Sequence, residues 1–143
     1  MPGARAGRPG LTRDLTRDLA LLVGRVFISG LFLWDGVVLL RAPGPAIGYM
    51  EAHGVPGLLL PAAILLQLGG GLLILVGWWT RLAALALAGF ALLTALIFHA
   101  DLGDAGAPVQ FAKDVAIAGG FLFLAAGGPG AFSLDEARRA HRA

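Results

Sequence analysis

Asp35, His99, Lys113 and Asp114 are ionisable side chains that fall inside, or at the edge of, long apolar stretches of this sequence. A charge among apolar residues is costly unless it is paired, so its presence marks a functional candidate. Histidine ordinarily titrates near neutrality, and burial draws a carboxylate upward toward the same range. His99 and Lys113 can donate hydrogen bonds to a carbonyl oxygen, and Asp35 or Asp114 can take up protons. Such a set suits a quinone headgroup or a proton-exchange pocket. A purely structural role fits the same residues: Asp35 would pair with Lys113 at similar depth, and His99 with Asp114 would tie neighbouring helices together.

His53, Gln67 and Arg25 are supporting candidates. Arg25 has no acidic partner within its own helical turn. Snorkelling toward the nearby membrane surface is the first expectation for it, with Gln67, backbone carbonyls or lipid phosphate as other partners. A metal site built on His99 and Asp101, with Asp104 and His53, is a weak reading, because His-x-Asp recurs by chance. With no cysteine, the chain supplies no thiolate for catalysis, zinc or an iron–sulfur cluster.

The elements that must position these residues follow from composition. Of 143 residues, 57% are hydrophobic and 14% charged, 22 are glycine, and the mean hydropathy is +0.79. That leaves too little charge to cover a water-soluble globule of this size. Soluble enzyme, nucleic-acid binder and disordered chain are all poor fits, and the bilayer is the expected solvent. Membrane-spanning helices need about 20 mostly apolar residues. Runs at about 19–40, 57–79, 81–99 and 111–127 meet or approach that length, giving an all-α, integral membrane four-helix bundle. The fourth is the shortest, because its charge-free part begins only at Val115; a re-entrant helix is its alternative. These runs are too long for strands and lack period-two alternation.

Charge placement predicts orientation. With four spans, one side carries Arg5, Arg8, Arg13, Arg17, Arg81, Arg138, Arg139 and Arg142, and the other only Arg41 and Lys113. Cytoplasmic segments collect Lys and Arg, so both termini are expected in the cytoplasm. The isoelectric point near 9.9 is then a topology signal, and no nucleic-acid partner is expected. Residues 1–18 form a basic leader read as uncleaved. Its repeat, Leu11-Thr-Arg-Asp then Leu15-Thr-Arg-Asp, suits either an interfacial helix or a solvated start to the first span. Residues 19–130 form the membrane domain and 131–143 a short charged tail, where Ser133-Leu-Asp-Glu predicts a capped helix. Glycines 24, 30 and 36, glycines 69 to 71, and Ala112, Ala116 and Gly120 predict close helix packing.

Several ordered segments resemble the DoxX family. They are Phe32 through Gly36 with Ile47-Gly-Tyr-Met-Glu-Ala-His-Gly-Val-Pro56; Gln67-Leu-Gly-Gly-Gly with Thr80-Arg81-Leu-Ala-Ala; and His99, Phe111-Ala-Lys113-Asp114 and Gly128-Pro-Gly-Ala-Phe-Ser-Leu-Asp135. The resemblance spans about residues 20–135. It implies a four-helix protein of the bacterial inner membrane, in a family associated with quinone-linked sulfur oxidation and oxidative-stress complexes. Two positions depart from the family pattern. Gln67 stands where an acidic residue is frequent, and Val37-Val-Leu-Leu precedes Arg41 where a lysine often follows the glycine.

The expected function is a small accessory subunit of a quinone-linked redox or oxidative-stress assembly, with quinone as ligand and any redox cofactor on a partner. The expected partners are the lipid bilayer and a larger membrane complex or further copies of the chain. The alternatives are a purely structural or assembly subunit and a small oligomeric transporter. Internal polar residues gathered on one side argue against a through-pathway.

Overall fold

A computed structural model describes residues 9–100, 103 and 106–142, with side chains from Asp14 onward. Asp101 and Asp104 lie outside the described residues, as do Arg5 and Arg8 and the side chain of Arg13. The elements are α1 (Pro9–Arg41), α2 (Pro43–Ala52), a 3-10 turn (Gly57–Leu59), α3 (Leu60–Val76), α4 (Thr80–Phe98), α5 (Ala107–Gly127) and α6 (Leu134–Ala140). Four helical stretches are long and apolar enough to cross a membrane: Asp14–Arg41, Gly57–Val76, Thr80–Phe98 and Ala107–Gly127. The protein is an all-helical membrane bundle.

Local chemistry sets the boundaries. Pro43 and Pro45 end α1 and open α2, because a proline in a first helical turn withholds only an N–H that has no partner there. The Pro-Gly-Pro-Ala stretch of residues 43–46 is therefore the first turn of α2. Likewise Pro108 starts α5 at Ala107, earlier than expected, and the fourth span reaches 21 residues with Lys113 and Asp114 inside it. At the end of α3, Gly77 takes φ 72°; its N–H bonds the Ile74 carbonyl, and the Trp78 N–H bonds that of Leu73. As Ser133-Leu-Asp-Glu predicts, the Ser133 hydroxyl caps α6 by accepting from the Glu136 N–H at 3.2 Å.

Neighbours in sequence are neighbours in space: α1 packs on α3, α3 on α4, and α4 on α5. Phe32 closes the ring, its ring centre 5.1 Å from that of Phe121 on α5 in an edge-to-face contact. Around it lie Ile74, Leu87 and the α4 alanines 84, 88 and 91, all buried. Four of the seven glycines expected to pack do so. Gly36 faces Leu68, Gly70 faces Leu87, Gly71 lies against Leu33 and the Ser29 carbonyl, and Gly120 meets Ile28. Gly24, Gly30 and Gly69 have open space beside them, and Ala112 and Ala116 are exposed. Small residues let backbones approach where a partner exists, and these five lie on faces turned away from the bundle.

Antiparallel threading gives the molecule two ends. The termini end holds the start of α1, the α3–α4 turn, the end of α5 and α6. The loop end holds α2 and the α4–α5 connection.

Candidate functional site

At the loop end, α4 finishes at Phe98 and the His99 N–H bonds the Ala95 carbonyl. That places the imidazole against the first turns of α5, with Nδ1 2.9 Å from Asp114 Oδ2. One turn back on α5, Gln110 Nε2 donates to Asp114 Oδ1 at 3.3 Å. The His99 and Asp114 side chains are 23% and 13% exposed, so the pair is sheltered without being sealed. The carboxylate accepts from Nδ1–H, which leaves Nε2 to exchange a proton or meet a ligand carbonyl.

An aromatic group adjoins this pair. Tyr49 of α2 stacks on Phe98 with ring centres 5.3 Å apart, and His53 meets Phe98 edge-on at the same distance. His53 Nδ1 lies 2.8 Å from the Tyr49 carbonyl. The short α2 therefore packs against the end of α4 at Phe98. Asp35 and Lys113 do not join the cluster. Both are exposed, and neither has an ion-pair partner among the described residues. The expected Asp35–Lys113 pair is absent because α1 and α5 make little direct contact. Ile28 meets Gly120, whereas Asp35 and Lys113 stand seven residues further toward the loop end, where both are exposed. Gln67 is buried on α3 beside Gly36, its Oε1 without a hydrogen-bond partner among the described residues. Among the described residues, no three His, Asp or Glu side chains gather as a metal shell requires.

At the termini end the structure overturns the expectation for Arg25. Its side chain does not snorkel; the residue is 2% exposed. Nε donates to the Ile74 carbonyl at 2.9 Å and Nη2 to that of Leu75 at 2.7 Å. Nη1 donates to the carbonyls of Pro129 at 3.0 Å and Phe132 at 2.7 Å. Helix ends leave carbonyls unsatisfied, and a guanidinium fork can serve several at once. Arg25 thus bonds the end of α3 to the Gly-Pro-Gly loop that follows α5.

Asp135 completes this end. Its carboxylate accepts the Trp79 N–H at 2.9 Å and the Thr80 N–H at 3.0 Å, and its own N–H bonds the Gly77 carbonyl. It therefore caps α4 from 55 residues away and supports Trp79 in its left-handed conformation, φ 49°. Partial burial pushes the Asp135 carboxyl up, but the Thr80 and Trp79 N–H bonds outweigh it and hold it below its usual 3.8. Asp18 accepts the Ala131 N–H, and Arg138 lies 5.2 Å over the Trp78 ring. Asp135 was missed in the sequence. The available signal was the start of α4, whose first N–H groups have no partner within the helix and need an acceptor.

Comparison with known proteins places the chain among relatives. The DoxX family profile matches residues 20–100. The chain is 47% identical over 119 residues to inner membrane protein YqjF of Escherichia coli K12, covering 83% of this chain and 92% of that one. It is 36% identical over 127 residues to inner membrane protein YphA of the same organism, covering 84% and 91%. No solved structure matches. With a four-span bundle and a profile match over more than half its length, this chain belongs to the DoxX family.

Proposed function

We propose that this protein is a small accessory subunit of a quinone-linked redox or oxidative-stress assembly in the bacterial inner membrane, with a quinone or proton-exchange pocket at the loop end. The observation that carries the proposal is the His99–Asp114 pair, 2.9 Å apart and steadied by Gln110, at the loop end of the bundle. A carboxylate that fixes the imidazole through Nδ1 leaves Nε2 to hydrogen-bond a quinone carbonyl and pass a proton. Aromatic side chains gathered on Phe98, the residue before His99, suit a planar headgroup. The redox cofactor belongs to a partner in this proposal. The inner-membrane location rests on the two Escherichia coli relatives, which are inner membrane proteins. Cytoplasmic termini follow from the arginines concentrated at the termini end.

The test is ubiquinone-1 titrated into the purified protein in lipid nanodiscs. His99→Ala and Asp114→Asn are expected to weaken binding about tenfold, roughly 1.4 kcal/mol. Equal affinity in wild type and both variants would sink the pocket. The exposed, unpaired Asp35 and Lys113 favour a second reading, a structural subunit docked on a larger complex. That reading predicts co-purification of a partner that Asp35→Asn and Lys113→Ala release while quinone binding is unaffected.

A further inference from the structure

A groove of about 800 Å³ lies between the end of α1, α2 and the first half of α3, on a different flank from the His99–Asp114 pair. Leu40, Ile47, Ile64, Leu65 and Leu68 line it, and Glu51 is the charged residue of the lining. The groove opens outward from the bundle: Leu58 at its mouth is 88% exposed and Leu65 74%. From Leu60 to Leu68 it descends about 12 Å along α3, most of the hydrocarbon depth of one leaflet, about 15 Å.

The rim of the groove is charged in a defined way. Gly57 has no side chain, and a Cβ there would sit 3.1 Å from Glu51 Oε1 and 2.5 Å from Ile47 Cγ2. The Glu51 carboxylate therefore leans over the groove floor. Arg41 stands between the lining residues Leu40 and Pro43. Neither the Glu51 nor the Arg41 side chain has a hydrogen-bond or ion-pair partner among the described residues. An apolar trough with one acid in its lining, and one base next to its lining in the chain, complements an acyl chain beneath a dipolar headgroup.

We propose that this groove binds a phospholipid bearing a primary ammonium, of the phosphatidylethanolamine class. One acyl chain lies along Leu40, Ile64, Leu65 and Leu68, the ammonium donates to Glu51, and the phosphate meets Arg41. An anionic phosphatidylglycerol headgroup would set its phosphate against Arg41 but offer Glu51 no cation. Phosphatidylcholine brings a cation that has no N–H to donate.

The test is native mass spectrometry of delipidated protein titrated with each of the three lipids. Wild type is expected to retain phosphatidylethanolamine about fivefold better than the other two. Glu51→Gln is expected to erase that preference, and Leu65→Trp, which fills the groove, to reduce retention of all three. Both positions are exposed, so folding is spared, and circular dichroism checks it. Equal retention of the three lipids by wild type overturns the proposal, as does an intact preference in Glu51→Gln or undiminished retention in Leu65→Trp. Ubiquinone-1 binding is expected to be unchanged in both variants, which separates this site from the His99–Asp114 pocket.

Discussion

The two ends of the bundle use charge in opposite ways. At the termini end, Arg25 is buried and its guanidinium bonds four backbone carbonyls, while Asp135 holds two N–H groups of the α3–α4 turn. These charges are occupied by backbone, fixed in place and spent on architecture. At the loop end, His99 and Asp114 hold each other but keep access to the outside, and Asp35, Lys113 and Glu51 lack ion-pair partners among the described residues. A polar group with every partner inside the protein stabilises a fold. One with unused hydrogen-bonding capacity at a membrane surface is available to a ligand.

Mutations at the two ends sharpen or break this contrast. The largest effect is expected for Arg25→Leu, which strands four carbonyls at once. A loss of about 3–5 kcal/mol is expected, read as a collapse of thermal stability in detergent. Arg25→Lys should recover only part, because an ammonium cannot reproduce the planar fork. A variant as stable as wild type would remove Arg25 from the architecture.

Gly77→Ala comes next. A Cβ at Gly77 would meet Ser133 Cβ at 2.5 Å and Arg25 Nη2 at 2.6 Å, on a backbone already at φ 72°. Left-handed strain of about 1–3 kcal/mol adds to that collision, and the melting temperature should fall clearly. Gly24→Ala, with open space around it, is the matched control and should melt close to wild type.

Asp135→Asn should cost about 1 kcal/mol, the usual worth of a helix cap. The same group gives a pH dependence whose sign is fixed. Because its pKa is lowered on folding, its contribution is complete above the usual 3.8 and disappears as pH falls through the lowered folded value. Melting curves from neutral pH downward should converge for wild type and Asp135→Asn only at the acid end. A constant gap at all pH values would contradict this role.

The smallest stability effect is expected at the loop end. Asp114→Asn should shift melting by less than about 1 kcal/mol, since its partner is partly exposed, while ligand binding suffers. A large stability loss with unchanged quinone binding would make the loop end architectural too, and the contrast between the two ends would vanish.

Much of this was legible in the residues. Four apolar runs, scarce charge and the proline and glycine breaks were enough for the bundle, because in a bilayer backbone groups must be satisfied within each helix. The Ser133 cap and the adjacency of His99 to Asp114 were also within reach. Helix α2 was harder to see, because prolines that break a helix interior also open a first turn.

Sequence alone therefore determined the solvent, the number of spans and the few ionisable residues that could matter, since hydropathy and helix length are local properties. Tertiary structure decided what each charge does. It turned Arg25 inward onto carbonyls of residues 74, 75, 129 and 132, brought Asp135 to the start of α4, and kept Asp35 apart from Lys113. Those outcomes depend on which helix ends meet and which helices hardly touch, and such non-local packing is not written in the spacing of any one segment.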